Sequence, residues 1–464
     1  MKPATTLPAP PAPLADLAIT AAVERLFTRQ RGISAAFINV ATHAGIVMLT
    51  GFTDHLLGRD RAEEVAKAVR GVRGVINNVE VRTPDVSDEV LRQDVAEALA
   101  TNPATHPLPL TCRAQNGVVE LRGTVRNWAE RQLALHVAKG VRGICQLTDH
   151  LEHASRPVTG NDERLATEIR ELLRWNVRVH AGLVSVEVRG GRVTLGGGVG
   201  SAAERSEVVG MAWAAGAGLV DSLALRVDPE LPPDELRRDK YAYHADADIA
   251  RALRDALRYD PRVVLSEPEV AVHNGLVTLR GAVSSLGARL AAEQDARGIV
   301  GVLGVRNLLT VCPPELPADP LIRRRVQAAL RRDPYLHDVA LAVQVRNGWV
   351  SLSGTVGTRF ETARAERVAS QINGVVHVEN HLQLPAPVLA QPDDAALADA
   401  IRHELHWNTF LHDQPVQVTV NHGRATLRGT VEDWHRAQMV VHCAYVAGAR
   451  AVNDQLRIRE ELPL

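Results

Sequence analysis

Histidine is the side chain with the most chemistry to offer here. It gathers late in the chain, at His403, His406, His412, His422, His435 and His442. Imidazole nitrogens ligate zinc and similar ions, and His403 and His406 stand on one helical face. Two ligands do not make a site, and no carboxylate or thiolate recurs at a matching spacing. Surface histidines are the better reading, and no metal or cofactor is expected. A second cluster is basic. Arg323, Arg324, Arg325, Arg331 and Arg332 surround the apolar stripe Ile322, Val326 and Leu330. Guanidinium groups this dense suit an anionic ligand such as a phospholipid headgroup. The plainer alternative is a solvated helix paired with acidic neighbours. A third candidate, Gly196-Gly197-Gly198-Val199-Gly200, is glycine-rich like a phosphate cradle, but it falls at a strand-to-helix corner and reads as a flexible bend. No HExxH, nucleophile-elbow serine or phosphate loop occurs. No enzymatic activity is expected.

The elements that position these residues are repeated. An apolar residue at i, with others at i+4 and i+8, precedes a glycine at i+26, a leucine at i+30 and a second glycine at i+32. The six copies start at Ile19, Leu91, Leu165, Ile249, Ile322 and Leu397. Such self-similarity means a string of small domains. Each copy opens with an amphipathic helix, as in Ile249/Leu253/Leu257. Terminators such as Asp260-Pro261 and Asp333-Pro334 follow. A hairpin comes next, its tip marked by Gly45, Gly117, Gly191, Gly275, Gly348 and Gly423; Asn116, Asn274 and Asn347 complete Asn-Gly pairs suited to a type I′ turn. The second glycine, in the outgoing strand, reads as room for a helix to cross the sheet. A second helix follows from His55, Asn127, Ser201, Ser285, Thr358 or Asp433, all but the histidine good N-caps. A last strand closes the unit. Two helices on one face of three strands is the economical α+β arrangement.

This order, with Asn-Gly-x-Val-x-Leu-x-Gly-x-Val at Asn274 to Val283 and Asn347 to Val356, resembles the BON domain of bacterial OsmY and nodulation proteins. Ile372 to Leu382 carries the family's entry to the last strand. The resemblance spans all six repeats; the third departs most, with Ala217-Gly218-Leu219 before its last strand. It implies non-enzymatic work in osmotic or envelope stress, with phospholipid binding and a periplasmic setting. The expected fold is six tandem α-β-β-α-β units over 15–84, 87–155, 162–228, 242–312, 318–386 and 393–460. The expected function is a binding or scaffold protein of stress or envelope physiology. The alternative is peripheral binding to anionic phospholipid through basic or apolar helices.

Composition limits the partners. The net charge of −1 gives no general pull toward nucleic acid, and aromatics are only 3%. A protein partner or a phospholipid surface is expected, and nucleic acid is not. Cys112, Cys145, Cys312 and Cys443 form no CxxC and read as apolar fillers in a reducing compartment. The Pro/Ala-rich opening lacks a secretory apolar core, and the longest apolar run, Val208 to Val220, is too short for the ~20 residues of a membrane span. Read from these residues alone, the setting is cytoplasmic; the family resemblance implies periplasmic.

A second level of repetition pairs units three apart. Gly51 to Gly281 is 230 residues, Gly123 to Gly354 is 231, and Gly197 to Gly429 is 232. Repeats 3 and 6 share Trp175-Asn176 with Trp407-Asn408, and both end their second helices in apolar runs. A duplicated three-domain unit is expected, with Trp213 and Tyr445 buried between repeats.

Overall fold

The computed structural model describes residues 15–459 except 31, 34, 84–85, 155–161, 238–239, 242, 264 and 386–392. The Pro/Ala-rich opening lies outside the described residues up to Leu14. Unit 1 runs α1 (Asp16–Arg29), β1 (Ile38–His43), β2 (Ile46–Thr53), α2 (Leu56–Lys67) and β3 (Gly74–Val81). Unit 2 repeats it as α3 (Asp88–Thr101), β4 (Leu110–Gln115), β5 (Val118–Val125), α4 (Trp128–Lys139) and β6 (Gln146–His153). Unit 3 is α5 (Asp162–Trp175), β7 (Val184–Arg189), β8 (Arg192–Val199), α6 (Ala202–Ala214) and β9 (Leu219–Val227). A short helix, α7 (Pro233–Arg237), lies in the linker. Unit 4 is α8 (Asp246–Tyr259), β10 (Leu265–His273), β11 (Leu276–Val283), α9 (Leu286–Arg297) and β12 (Gly304–Val311). Unit 5 is α10 (Asp319–Arg332), β13 (Leu341–Arg346), β14 (Trp349–Thr355), α11 (Arg359–Ser370) and β15 (His377–Gln383). Unit 6 is α12 (Asp394–Trp407), β16 (Val416–Asn421), β17 (Arg424–Val431), α13 (Trp434–Val446) and β18 (Ala451–Ile458). The α-β-β-α-β expectation is met.

Each unit forms its own three-stranded sheet with the second strand central. That strand pairs antiparallel with the first and parallel with the third, for example Leu121 with Cys112 and with Asp149. Alternate residues of the central strand, such as Val47 and Leu49, are fully buried beneath the two helices. At the hairpin tips, Asn116 and Gly117 have φ of 51° and 72°, as a type I′ turn demands. The side chains of all six second-helix caps accept an N–H three residues on; His55 joins them through Nδ1, 2.8 Å from the Gly58 nitrogen.

The second glycine does not make room for a helix. At Gly197, φ is +94° and a Cβ would lie 1.8 Å from the Leu183 carbonyl oxygen. The obstacle is backbone at the entry of the neighbouring first strand, so the glycine permits a strand-to-strand approach.

One residue kept in all six copies escaped the repeat pattern. Asp16, Asp88, Asp162, Asp246, Asp319 and Asp394 open the first helices, and each carboxylate accepts both backbone N–H groups of its hairpin tip. The Asp88 pair measures 2.8 and 3.1 Å. The N–H groups of Gly45 and Ala44 hold the Asp16 carboxyl below its ordinary value, and those of Gly423 and His422 do the same for Asp394. A lowered folded pKa stabilises above the unfolded pKa and loses that contribution as pH falls through the folded one. The hairpin tips of units 1 and 6 are therefore expected to lose amide protection first on acidification below the ordinary carboxylate range. Asp16→Ala and Asp394→Ala should remove that acid dependence, read by hydrogen exchange at Gly45 and Gly423.

The halves interlock about a pseudo-two-fold. In unit 1, the Arg70 N–H donates to the Trp407 carbonyl of unit 6 at 2.8 Å, and Thr409 returns a bond to Ala68 at 3.0 Å. Moved by 230 and 232 residues, the same pair recurs as Val300 to Trp175 (2.9 Å) and Val177 to Gly298 (3.0 Å), joining units 4 and 3. Units 2 and 5 meet on the pseudo-axis, where Arg142 donates to Arg332 at 2.9 Å and Asn373 to Thr101 at 2.8 Å. Side chains follow the same rule. Leu56 belongs to the core of unit 2 and its counterpart Leu286 to that of unit 5. Trp407 enters the core of unit 1 and its counterpart Trp175 that of unit 4. Trp213 departs from expectation: it is half-buried against its own unit's core. Tyr445 is also half-buried, beneath the Arg359 guanidinium of unit 5 at 4.9 Å. The backbone bonds of the seam, together with Trp175 and Trp407, hold the halves without these two aromatics.

Candidate binding surfaces

The five arginines of α10 do not form one face. Arg332 is buried, with Nη1 3.2 Å from the Glu97 carboxylate of unit 2 and Nη2 3.2 Å from the Thr101 hydroxyl. Arg325 is half-buried. Arg323, Arg324 and Arg331 are exposed and form no ion pair with a described residue. At about 100° per residue these three share one side of the helix, while Arg325 and Arg332 share another. The cluster thus divides into an interface pair and a free basic trio.

His403 and His406 flank the Trp407 ring at 6.2 and 5.4 Å, centroid to centroid, rather than converging on a common point. Partial burial, helped by Arg25 and Arg29 beside His403, favours their neutral forms. Among the described residues no three His, Cys, Asp or Glu side chains group as metal ligands. The glycine run is not an open bend. Leu231 and Leu236 of the linker lie over Gly198 and Gly200, where added Cβ atoms would come within 2.9 and 3.2 Å of them. The linker seals that corner.

Two clefts open beside the duplicated seams. One, about 1090 Å³, lies between units 3 and 4 and reaches Trp128 of unit 2 and Trp434 of unit 6. Its counterpart between units 1 and 6 is about 260 Å³ and is bounded by Arg61, Glu404 and His442. In the wider cleft Arg297 covers the Trp434 ring at 4.6 Å, and Arg262 bridges Asp260 at 2.5 Å and Asp295 at 3.8 Å.

The BON domain matches residues 15–83, 87–154, 161–227, 245–313, 318–386 and 393–460. The chain belongs to the BON domain family. It is 28% identical over 144 residues to osmotically-inducible protein Y of Escherichia coli (strain K12), covering 30% of this chain and 72% of that protein. Among solved structures it is similar to the C-terminal domain of CdsD, a structural protein of the type III secretion system of Chlamydia trachomatis: 16% identity, 47% of this chain, 100% of that chain, TM-score 0.13. It is also similar to the PrgH periplasmic domain: 13% identity, 42% of this chain, 95% of that chain, TM-score 0.12. BON domains are an osmotic-stress and envelope-associated, phospholipid-binding type of domain, non-catalytic as a kind. No helix among the described residues is long and apolar enough to cross a membrane.

The strongest electrostatic feature joins the third and sixth BON domains through the linker. Arg436, 2% exposed, donates to the Tyr241 hydroxyl at 2.7 Å, contacts His180 Nε2 at 3.0 Å and pairs with Asp433 and Glu432. Burial opposes its charge, but Asp433, Tyr241 and Glu432 outweigh it and raise its pKa further. Arg237 of the linker pairs with Asp413 and with Glu432. Lys240 donates to the carbonyls of Asn176 and Val179, and burial, with Arg436 nearby, pulls its ammonium down to about 7. Arg436 was invisible to sequence reading because its counterpart in repeat 3 is Glu204.

Proposed function

We propose that this chain is a non-catalytic binding scaffold of the bacterial envelope, carrying six BON domains as one frame. The observation that supports it best is the seam. Backbone hydrogen bonds join BON1 to BON6, BON2 to BON5 and BON3 to BON4. Linked beads would leave each domain free, whereas these bonds fix the spacing of the surfaces the domains present. The positions kept in all copies are glycines, aliphatics and one aspartate engaged in the fold, which build a platform rather than a reaction centre. The envelope, rather than the cytoplasm, is the setting the family favours. Affinity purification from fractionated native cells tests both points. A stoichiometric protein partner recovered with the envelope fraction, and kept through detergent, supports the scaffold. Recovery of lipid alone, or of the chain only in the cytosol, would refute it.

A second reading rests on the basic trio of α10. Arg323, Arg324 and Arg331 are exposed, share a side and lack ion pairs with described residues. A basic side chain near an anionic bilayer contributes roughly 1 kcal/mol. The full chain is then expected to co-sediment with phosphatidylglycerol vesicles and not with phosphatidylcholine ones, less so as salt rises. Charge reversal of the three together should lower binding about a hundredfold or more. Equal sedimentation of the triple variant would dismiss this face as the lipid site.

A further inference from the structure

The cleft between BON1 and BON6 holds charges that the duplicated half does without. Glu404 lies in its wall with a side chain only 3% exposed, and its Oε1 makes no hydrogen bond. Arg29 stands 3.6 Å from that oxygen, beyond hydrogen-bond range. On the opposite wall the Nε of Arg61 is buried and likewise without a hydrogen-bond partner. Its guanidinium is fixed from behind by the Phe360 ring of BON5, 4.7 Å away. At the equivalent places between BON3 and BON4 the residues are Leu172 for Glu404 and Ala291 for Arg61. The copy with leucine and alanine makes the same backbone seam, so the seam does not require these charges.

An unpaired buried polar atom costs on the order of 1–3 kcal/mol, and more when it is charged. One acceptor and one donor of opposite charge, both unsatisfied and both facing the same 260 Å³, therefore call for an occupant that satisfies them together. Leu26, Val65, Met439 and Val446 supply apolar wall between them, while Glu64 and His442 are exposed at the mouth. We propose that this cleft is a binding site for a small zwitterion, an aliphatic free amino acid. Its ammonium meets Glu404 Oε1, its carboxylate meets Arg61 Nε, and its side chain lies on the apolar wall. Either charge alone would leave one buried partner unsatisfied, which favours the zwitterion over a simple amine or acid.

The duplicated half provides the variants. Glu404→Leu and Arg61→Ala install the residues of the equivalent cleft, so both chains should fold. Binding of L-leucine and L-valine to the full chain is followed by calorimetry and by the shift in Tm, with isoamylamine and 4-methylpentanoate as single-charge controls. Expected are a ligand-dependent rise in Tm of the unsubstituted chain, weaker binding of both controls, and a loss of roughly tenfold or more in each variant. Without ligand, Glu404→Leu should melt no lower than the parent. Three results would overturn the site: no amino acid binding up to the solubility limit, binding unchanged in both variants, or a ligand-free Glu404→Leu chain much less stable than the parent. The last would make Glu404 a structural partner of Arg29.

Discussion

Gly197→Ala is expected to unfold BON3 while leaving the other domains to melt near their usual temperature. The φ of +94° is one an L residue adopts only under strain, costing about 1–3 kcal/mol. The larger obstacle is the Leu183 carbonyl oxygen, 1.8 Å from the new Cβ. It is backbone at the entry of β7 and has no rotamer through which to yield, so strand pairing must shift. Together these reach about 4 kcal/mol or more, within the range of a domain's whole stability. The equivalent glycines give a graded test. The approach is 2.0 Å at Gly51 and Gly429, 2.3 Å at Gly123 and 2.9 Å at Gly354. Damage should fall in that order, with Gly354→Ala mildest. Gly74→Ala is the control, because nothing lies within 4 Å of its added Cβ. Urea melts with domain-resolved hydrogen exchange would read the series. A Gly197→Ala chain as stable as Gly74→Ala would show that the strands separate freely there.

That glycine shows how far the sequence could be read. Its spacing was visible six times over, and it fixed the number, order and type of elements. Its reason was not visible, because the carbonyl it accommodates lies across a strand pair and only the register brings the two together. The opening aspartate of each first helix was as regular as the glycines. It passed for a helix-start residue, since its bond to the hairpin tip spans 28 residues. Trp175-Asn176 and Trp407-Asn408 stood out as details shared by repeats 3 and 6. They prove to be the seam between halves, a role that depends on the second helix of another domain. The α10 arginines failed as a single face because the packing partner of that helix, α3 with Glu97, comes from a domain 231 residues away in the duplicated frame. Patterns within a domain were legible. Contacts between domains were not, because no local periodicity encodes them.

Those inter-domain contacts carry the other large effect. Arg436→Ala is expected to cost about 3–5 kcal/mol, the range for removing one member of a buried ion pair. The substitution keeps the backbone N–H that Asp433 caps at 2.8 Å but removes the guanidinium from Asp433 and Glu432, which are 5% and 7% exposed. It also frees the Tyr241 hydroxyl and the Phe410 carbonyl, which accepts from Arg436 Nε at 3.2 Å. Arg237 still pairs with Glu432, so the uncompensated charge falls mainly on Asp433. Its sign gives a second test. A buried carboxylate without its cation is relieved by protonation, so the deficit of Arg436→Ala should shrink as pH falls toward the carboxylate range. Asp433→Asn added to Arg436→Ala should recover part of the loss at neutral pH and abolish the pH dependence of the deficit. The consequence reaches the frame, because Tyr241 belongs to the linker and His180 to BON3. Loosening this one side chain should expose the linker around Pro229 to Arg237 to protease before any domain unfolds. If Arg436→Ala instead melts like the parent at every pH, with the linker still protected, the hold between BON3 and BON6 must come from Arg237 and Lys240 alone.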